Sequence, residues 1–226
     1  MVASGPGEGR RELAAGALIG LATLVKLYPA LLIVALAAAS PDRRRRSTLR
    51  IGGAAGAVAV AGYLPHVVRV GTKVVGFLPG YLREEHYDGT GRYLVAGALR
   101  IPGDLAGVVS VLALVAAAAW VWIRRPSAPT GAAVLMGMLL LAASPVQPWY
   151  AVTLLAFATL AVEPAWAVVV AAGYPYFFAV ILLHPHPVGI GQAAYGLAAV
   201  GVSLPLLLRR FREPGRSMRR CPPNGC

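Results

Sequence analysis

The chain has 226 residues, of which 58% are hydrophobic and only 13% are charged, and its formal net charge is +12. A soluble domain carries about 25% charged residues, so this composition excludes a soluble globular fold for most of the chain. The arginines stand in short clusters between long apolar runs, a pattern that is typical of a membrane protein and argues against a nucleic-acid-binding face. The only cysteines, Cys221 and Cys226, stand in the last six residues, so we expect no disulfide framework, no metal and no cofactor.

Seven apolar runs follow one another along the chain, and each is long enough to cross the roughly 30 Å of membrane hydrocarbon as a helix. The runs are continuously apolar, without the alternation of barrel strands. We therefore predict an all-α fold, a polytopic transmembrane helical bundle of about seven spans. The fourth and fifth runs could instead form one re-entrant hairpin over residues 126–162. The runs are Leu13–Ala39, Ile51–Val68, Leu105–Ile123, Pro126–Ser144, Pro145–Val162, Ala165–Leu183 and Val188–Leu208.

The arginine clusters predict the orientation of this bundle. Dense clusters follow the first, third and seventh runs, and the positive-inside rule places all three in the cytoplasm. With seven spans, residues 1–12 form an extracytoplasmic N-terminal segment and residues 13–208 form the membrane domain. Within that domain residues 71–104 form a long extracytoplasmic loop, and residues 209–226 form a basic cytoplasmic tail. The prediction is a multi-pass protein of the cell membrane.

Lys26 lies inside the first apolar run, about 13 residues from either end. A charged residue there costs about 3 kcal/mol and usually faces a partner or a wet cavity, although a long side chain can also reach toward the interface. A kink at Tyr28-Pro29 would open room beside it. An anionic group, such as a lipid phosphate, would fit there.

The loop over residues 71–104 offers further ionisable groups. Glu84, His86 and Asp88 could act as a general base on a sugar hydroxyl, and Arg92 could bind a phosphate. An ordinary solvated loop would contain the same residue types, so both interpretations stay open.

Two short turns on the same predicted side contain aromatic, amide or histidine side chains. One of them contains Gln147, Trp149 and Tyr150, which suit either a sugar-binding surface or an interfacial aromatic belt. The other contains His184 and His186, two residues apart and without a nearby acidic or cysteine partner, which is a poor metal site.

Three of these segments, taken in order, resemble glycosyltransferase family 87. The first is Gly20–Leu32 with its central Lys26, followed by an arginine cluster; the second is Leu78–Glu85 with the turn Gly89–Arg92; the third is Ser144-Pro145 followed by Pro148-Trp149-Tyr150. The members of that family are polyprenyl-phosphate-mannose-dependent mannosyltransferases of the GT-C superfamily, common in actinobacteria.

The resemblance implies a GT-C-like C-terminal half that transfers mannose or a similar hexose on the extracytoplasmic face. The donor would be a polyprenyl-phosphate sugar and the acceptor a glycolipid or glycan. Lys26 and Arg92 would contact the donor phosphate, and Gln147, Trp149 and Tyr150 the acceptor sugar. The superfamily's catalytic Asp lies in a first extracytoplasmic loop that has no counterpart here, so the resemblance also implies a missing N-terminal half and a chain that is inactive alone.

Two other functions remain open at this stage. A transporter or flippase component would use Lys26 as a substrate or proton site, and such sites lie near the membrane midplane. A non-catalytic membrane fragment is the other alternative, because the catalytic loop of the superfamily has no match.

Overall fold

The computed structural model describes residues 6–40, 44–76, 78–85, 87 and 91–212. In this part of the chain all regular elements are helical, which confirms the all-α prediction. Short 3-10 segments at Tyr28–Leu31, Gly71–Val75, Pro148–Tyr150 and Pro164–Trp166 flank some of the α-helices. The α-helices are α1 (Pro6–Val25), α2 (Leu32–Ala38), α3 (Arg44–Val70), α4 (Leu78–Glu84), α5 (Leu94–Ala98), α6 (Gly103–Arg124), α7 (Ala128–Ala142), α8 (Ala151–Ala161), α9 (Ala167–Ile181) and α10 (Pro187–Arg212).

Four helical segments of the described residues are long and apolar enough to cross a membrane, and they correspond to the second, third, sixth and seventh predicted runs. The predicted count of about seven spans is therefore not confirmed. Over residues 126–162, α7 has 15 residues and α8 has 11, whereas a crossing needs about 20. The four candidate spans are Arg44–Val74, Gly103–Arg124, Pro164–Ile181 and Pro187–Leu204.

The first apolar run differs most from its prediction, because it is not one helix. The α-helix α1 ends at Val25, and Lys26 and Leu27 lie outside any helix before the 3-10 segment that leads into α2. Pro29 stands at the start of that 3-10 segment. It has no N–H to donate and disfavours a continuous α-helix through the residue before it, which explains the break at this point.

The helices α1 and α3 lie side by side and run in the same direction. Gly16 and Gly20 of α1, spaced as in a GxxxG motif, face successive turns of α3, and Leu24 lies against Gly62 farther along. A Cβ atom on Gly20 would lie 2.7 Å from the Ala55 carbonyl oxygen, so the two backbones approach closely. Because α1 and α3 are parallel, the chain between them must return, and the first run forms a hairpin of α1 and α2.

One end of the bundle, which we call the arginine end, is defined by contacts among α1, α3 and α6. Arg50 Nη1 donates to Glu12 Oε2 at 3.0 Å, and Ser47 also donates to the Glu12 carboxylate. Arg44 Nη2 donates to the Trp122 carbonyl oxygen at 2.7 Å, and its guanidinium lies 3.2 Å from the centre of the Trp122 indole. The starts of α1 and α3 and the end of α6 therefore meet at one end.

The contacts at the arginine end bear on the N-terminal segment, whose side of the membrane stays a prediction. Residues 1–12 were expected across the membrane from the arginine cluster that precedes the second run. The contacts of Glu12 with Ser47 and Arg50 instead put the described residues 6–12 at the same end as that cluster. The physical reason is the hairpin, since the chain turns back at Lys26–Leu31 between α1 and α2.

The opposite end, which we call the loop end, contains Lys26, Arg92, Ser144 and Tyr150. The predicted loop over residues 71–104 contains α4 and α5 in the structure. Within the loop, α5 packs on α10. The predicted tail begins as a continuation of α10 to Arg212; Cys221 and Cys226 lie outside the described residues.

Helix α7 forms the centre of the core. It packs against α2, α6 and α8, and its residues Leu135 and Met136 are fully buried. The ring of Trp166, which precedes α9, occupies the space over Gly137 of α7 that a side chain would fill. This central packing fixes the turn after α7, and that turn carries several of the predicted site residues.

Candidate functional site

Lys26 meets Tyr150 at the loop end, although 124 residues separate them in the chain. The Lys26 ammonium donates to the Tyr150 hydroxyl and lies 3.9 Å from the centre of the tyrosine ring. No carboxylate pairs with this ammonium among the described residues. The break after α1 exposes the Lys26 side chain, so its charge remains available to an anion.

Tyr28 supports this pair from the other side of the break. Its ring makes an edge contact with Tyr150 at a centroid separation of 6.3 Å, and its hydroxyl lies 3.5 Å from Thr153 Oγ1. The 3-10 segment that begins at Tyr28 thus holds Tyr150 against Lys26. Lys26, Tyr28 and Tyr150 together form what we call the lysine cluster.

Arg92 is the centre of a second set of contacts. Only 7% of its surface is exposed. Its guanidinium forms an ion pair with the Glu85 carboxylate, its Nε donates to the Glu85 carbonyl oxygen at 2.6 Å, and Nη1 lies 3.5 Å from the Tyr176 hydroxyl. Tyr176 in turn donates to the Gly91 carbonyl oxygen at 3.2 Å. These contacts attach the part of the loop around Arg92 to α9.

The segment over residues 144–150 joins the two sets of contacts. At its start, the Ser144 backbone N–H donates to the Arg92 carbonyl oxygen at 2.8 Å, and the Ser144 hydroxyl donates to the Leu140 carbonyl oxygen. At its end, Tyr150 belongs to the lysine cluster. A rigid turn therefore fixes the position of the lysine cluster relative to the loop.

The other two residues predicted to contact a sugar lie on this same turn. Gln147 is half-buried and precedes the 3-10 segment that contains Trp149. The Trp149 indole is 60% exposed and makes an edge contact with Phe177 of α9 at 6.3 Å. An exposed indole held by such a contact can stack on the apolar face of a sugar or on a lipid chain.

The three candidate bases are only partly placed by the structure. Glu84 is the last residue of α4, and its side chain is exposed. His86 and Asp88 lie outside the described residues. Nearby, Tyr87 and Tyr93 make an edge contact at 5.9 Å, and burial raises the pKa of the Tyr93 hydroxyl.

The His184 and His186 rings also lie at the loop end, after α9. They are 6.4 Å apart, and the His186 backbone N–H donates to His184 Nδ1 at 3.1 Å. Both side chains are exposed. In the part of the chain that the structure describes, no group of three His, Cys, Asp or Glu side chains could hold a metal ion.

Sequence reasoning did not single out Tyr28, Glu85 and Tyr176 as members of the site. Tyr28 follows Lys26 by two residues, and its proximity in the chain was a usable signal. Glu85 and Tyr176 were identifiable only from the fold, because the partners of Arg92 come from a loop and from a distant helix.

Comparisons with known proteins give one match. The family model of glycosyltransferase family 87 matches residues 1–145, which is more than half of the chain. Lys26 and Arg92 lie within the matched residues, whereas Gln147, Trp149 and Tyr150 lie beyond them. A search of curated proteins and a search of solved structures found no match. The chain belongs to glycosyltransferase family 87.

Proposed function

We propose that the protein is a membrane glycosyltransferase that transfers mannose or a similar hexose from a polyprenyl-phosphate-linked donor, with Lys26 binding the donor phosphate. The observation that carries this proposal is the lysine cluster: an exposed ammonium held by Tyr150 and not neutralised by a carboxylate among the described residues. An ammonium is a suitable partner for a phosphate at a membrane surface, where its charge is weakly screened.

In the proposed reaction, a hydroxyl oxygen of a glycolipid or glycan acceptor attacks the anomeric carbon of the donor sugar. The bond between that carbon and the phosphate oxygen breaks, and polyprenyl phosphate leaves with the bonding electrons. Lys26 stabilises the negative charge that develops on the leaving phosphate. The acceptor proton passes to a base, and Glu84, His86 and Asp88 are the candidates from this chain. Gln147, Trp149 and Tyr150 would orient the acceptor sugar.

Arg92 was also predicted to bind the phosphate, and its contacts favour a different role. Its guanidinium is buried and paired with Glu85, so binding a phosphate would require breaking an ion pair. We propose that Arg92 is a positioning residue, which holds the loop in a fixed position relative to the Ser144–Tyr150 turn.

The match to a glycosyltransferase family favours this function over the transporter alternative. We propose that the loop end faces the extracytoplasmic side and the arginine end the cytoplasm, following the positive-inside rule. A transfer assay measures whether this chain transfers sugar by itself.

The test measures binding and transfer separately. Binding of polyprenyl phosphate to the purified full chain is compared with binding of the corresponding polyprenol, which lacks the phosphate. Membranes that contain the chain are also assayed for transfer of radiolabelled mannose from polyprenyl-phosphate-mannose. The substitution Lys26→Met should weaken phosphate-lipid binding by about 10- to 150-fold, because one charge-assisted hydrogen bond is worth ~1.5–3 kcal/mol. Lys26→Arg should retain most of the binding.

Lys73→Met provides the matched control. Lys73 is an exposed lysine of the Gly71–Val75 segment, so removing its charge should leave both readouts unchanged. Equal binding of the phosphate and the alcohol, or unchanged binding in Lys26→Met, would refute Lys26 as the phosphate ligand. Intact binding together with no transfer by the wild-type chain would refute the activity for this chain alone.

A further inference from the structure

A large groove lies between α5, α6, α7 and α10, and no residue of the lysine cluster lines it. Its volume is about 980 Å³, at the upper end of the ~300–1,000 Å³ of typical ligand sites. Its walls are predominantly aliphatic, and along α6 the small side chains of several alanines leave space for an occupant. Residues that line it include Leu99, Ala113, Ala116, Val134, Met138 and Val202. A groove of this kind in a membrane bundle accommodates lipid chains.

The groove has a polar rim, formed by Glu163, Thr130 and Ser203. Glu163 stands in the turn between α8 and α9, and within the described residues its carboxylate has neither a hydrogen-bond nor an ion-pair partner. A carboxylate beside apolar walls is a favourable partner for a cationic group. The chemistry of the groove therefore suits an occupant with both an apolar chain and a cationic group.

The polar rim lies toward the arginine end. Thr130 is in the first turn of α7, whose Gly131 faces Val121 near the end of α6. Arg124 and Arg125 stand three and four residues after Val121, at the end of α6. A headgroup at this rim would therefore contact one carboxylate and lie at the same end of the bundle as these two arginines. These charges complement an ammonium and a phosphate on one molecule.

We infer that the groove binds an amine-headed phospholipid such as phosphatidylethanolamine. Its chains lie between α6 and α10, its ammonium binds the Glu163 carboxylate, and its phosphate faces the arginine end. The headgroup position at Glu163 is at the other end of the bundle from the lysine cluster, while the apolar groove extends to α5 at the loop end. The bound lipid is therefore a structural lipid of the surrounding membrane, distinct from a donor whose phosphate binds Lys26.

The test is lipid binding to the purified, delipidated full chain, measured by native mass spectrometry. Phosphatidylethanolamine and phosphatidylglycerol with identical acyl chains serve as probes. The wild-type chain should bind the ethanolamine lipid about tenfold more tightly, the equivalent of one charge-assisted hydrogen bond. Glu163→Gln should abolish this preference, because it keeps the shape of the side chain and removes its charge. Asp104→Asn, which changes an exposed carboxylate in the first turn of α6, should keep it.

A second pair of variants tests the groove itself. Ala113→Phe, which fills the groove, should remove most binding of both lipids. Leu112→Phe, at an exposed neighbouring position of α6, should not. A preference for phosphatidylglycerol, a preference that survives Glu163→Gln, or normal binding in Ala113→Phe would each overturn the inference. The isosteric Glu163→Gln variant keeps the test decisive if Ala113→Phe fails to fold.

Discussion

Arg92 brings a positive charge to a position where only 7% of its surface remains exposed. Truncating one partner of a buried ion pair costs about 3–5 kcal/mol, because the other charge is left without a partner. We therefore expect Arg92→Ala to lower the free energy of unfolding by about 3 kcal/mol, measured by thermal or denaturant unfolding in detergent. Arg83→Ala is the control, since Arg83 is exposed on α4. Equal, small effects of the two substitutions would contradict a fastening role for Arg92.

Val162 has an energetically unfavourable backbone conformation. It ends α8 in the left-handed region, with φ 55° and ψ 43°, and its side chain is 83% exposed. A residue with a Cβ pays roughly 1–2 kcal/mol there, and a β-branched one is especially unsuited. Val162→Gly should therefore raise the unfolding free energy by about 1 kcal/mol. Leu160→Gly, at an exposed position inside the same helix, should lower it by about 1 kcal/mol; destabilisation by both would argue that Val162 makes a needed contact with lipid.

The sequence allowed some of these residues to be predicted and not others. Lys26 was identifiable because a charge inside an apolar run is rare and costly. Its partner Tyr150 was selected for a separate reason, and their contact depends on the fold, which brings the break after α1 beside the segment that precedes α8. The pairing of Arg92 with Tyr176 spans 84 residues. A pattern of local spacing contains no information about such a contact.

At the level of elements, the contact between α1 and α3 depends on two glycines. A side chain on Gly20 would begin 2.7 Å from the Ala55 carbonyl oxygen and 2.9 Å from Val58 Cβ. Gly20→Leu should separate the two helices and cost about 1–3 kcal/mol, which an unfolding experiment in detergent would detect. Gly56→Leu on α3 is the matched control, because a Cβ there meets nothing within 4 Å. If both variants unfold alike, close helix packing is not what stabilises α1.

A helix was predictable where both the length and the hydropathy of an apolar run indicated a membrane-spanning helix. This was so for the runs that correspond to α3, α6, α9 and α10. The first run shows the limit of that reasoning. A hydropathy window over Leu13–Ala39 is equally apolar for one crossing helix and for two short helices that fold back. Pro29 was read as a kink, and the packing of Gly16 and Gly20 on α3 is what turns the kink into a hairpin.

For the whole molecule, the hairpin changes which segments share a side of the membrane. A single crossing by the first run would separate residues 6–12 from the start of α3, whereas the contacts of Glu12 with Arg50 bring them together. Cysteine labelling with a membrane-impermeant maleimide in intact cells distinguishes these arrangements. The single-cysteine variants are Gly7→Cys and Ser127→Cys at the arginine end and Lys73→Cys and His184→Cys at the loop end, each in a chain whose Cys221 and Cys226 are replaced by serine.

We expect Lys73→Cys and His184→Cys to be labelled in intact cells, and Gly7→Cys and Ser127→Cys to be labelled only after lysis. Gly7 and Ser127 must behave alike if α1 and α3 run parallel from the arginine end. Labelling of Gly7→Cys with Ser127→Cys protected would contradict the hairpin and restore a single crossing. Labelling of that pair together, with the loop-end pair protected, would keep the hairpin but reverse the bundle. It would also put the lysine cluster on the cytoplasmic side, where a donor made in the cytoplasm would reach it without crossing the membrane.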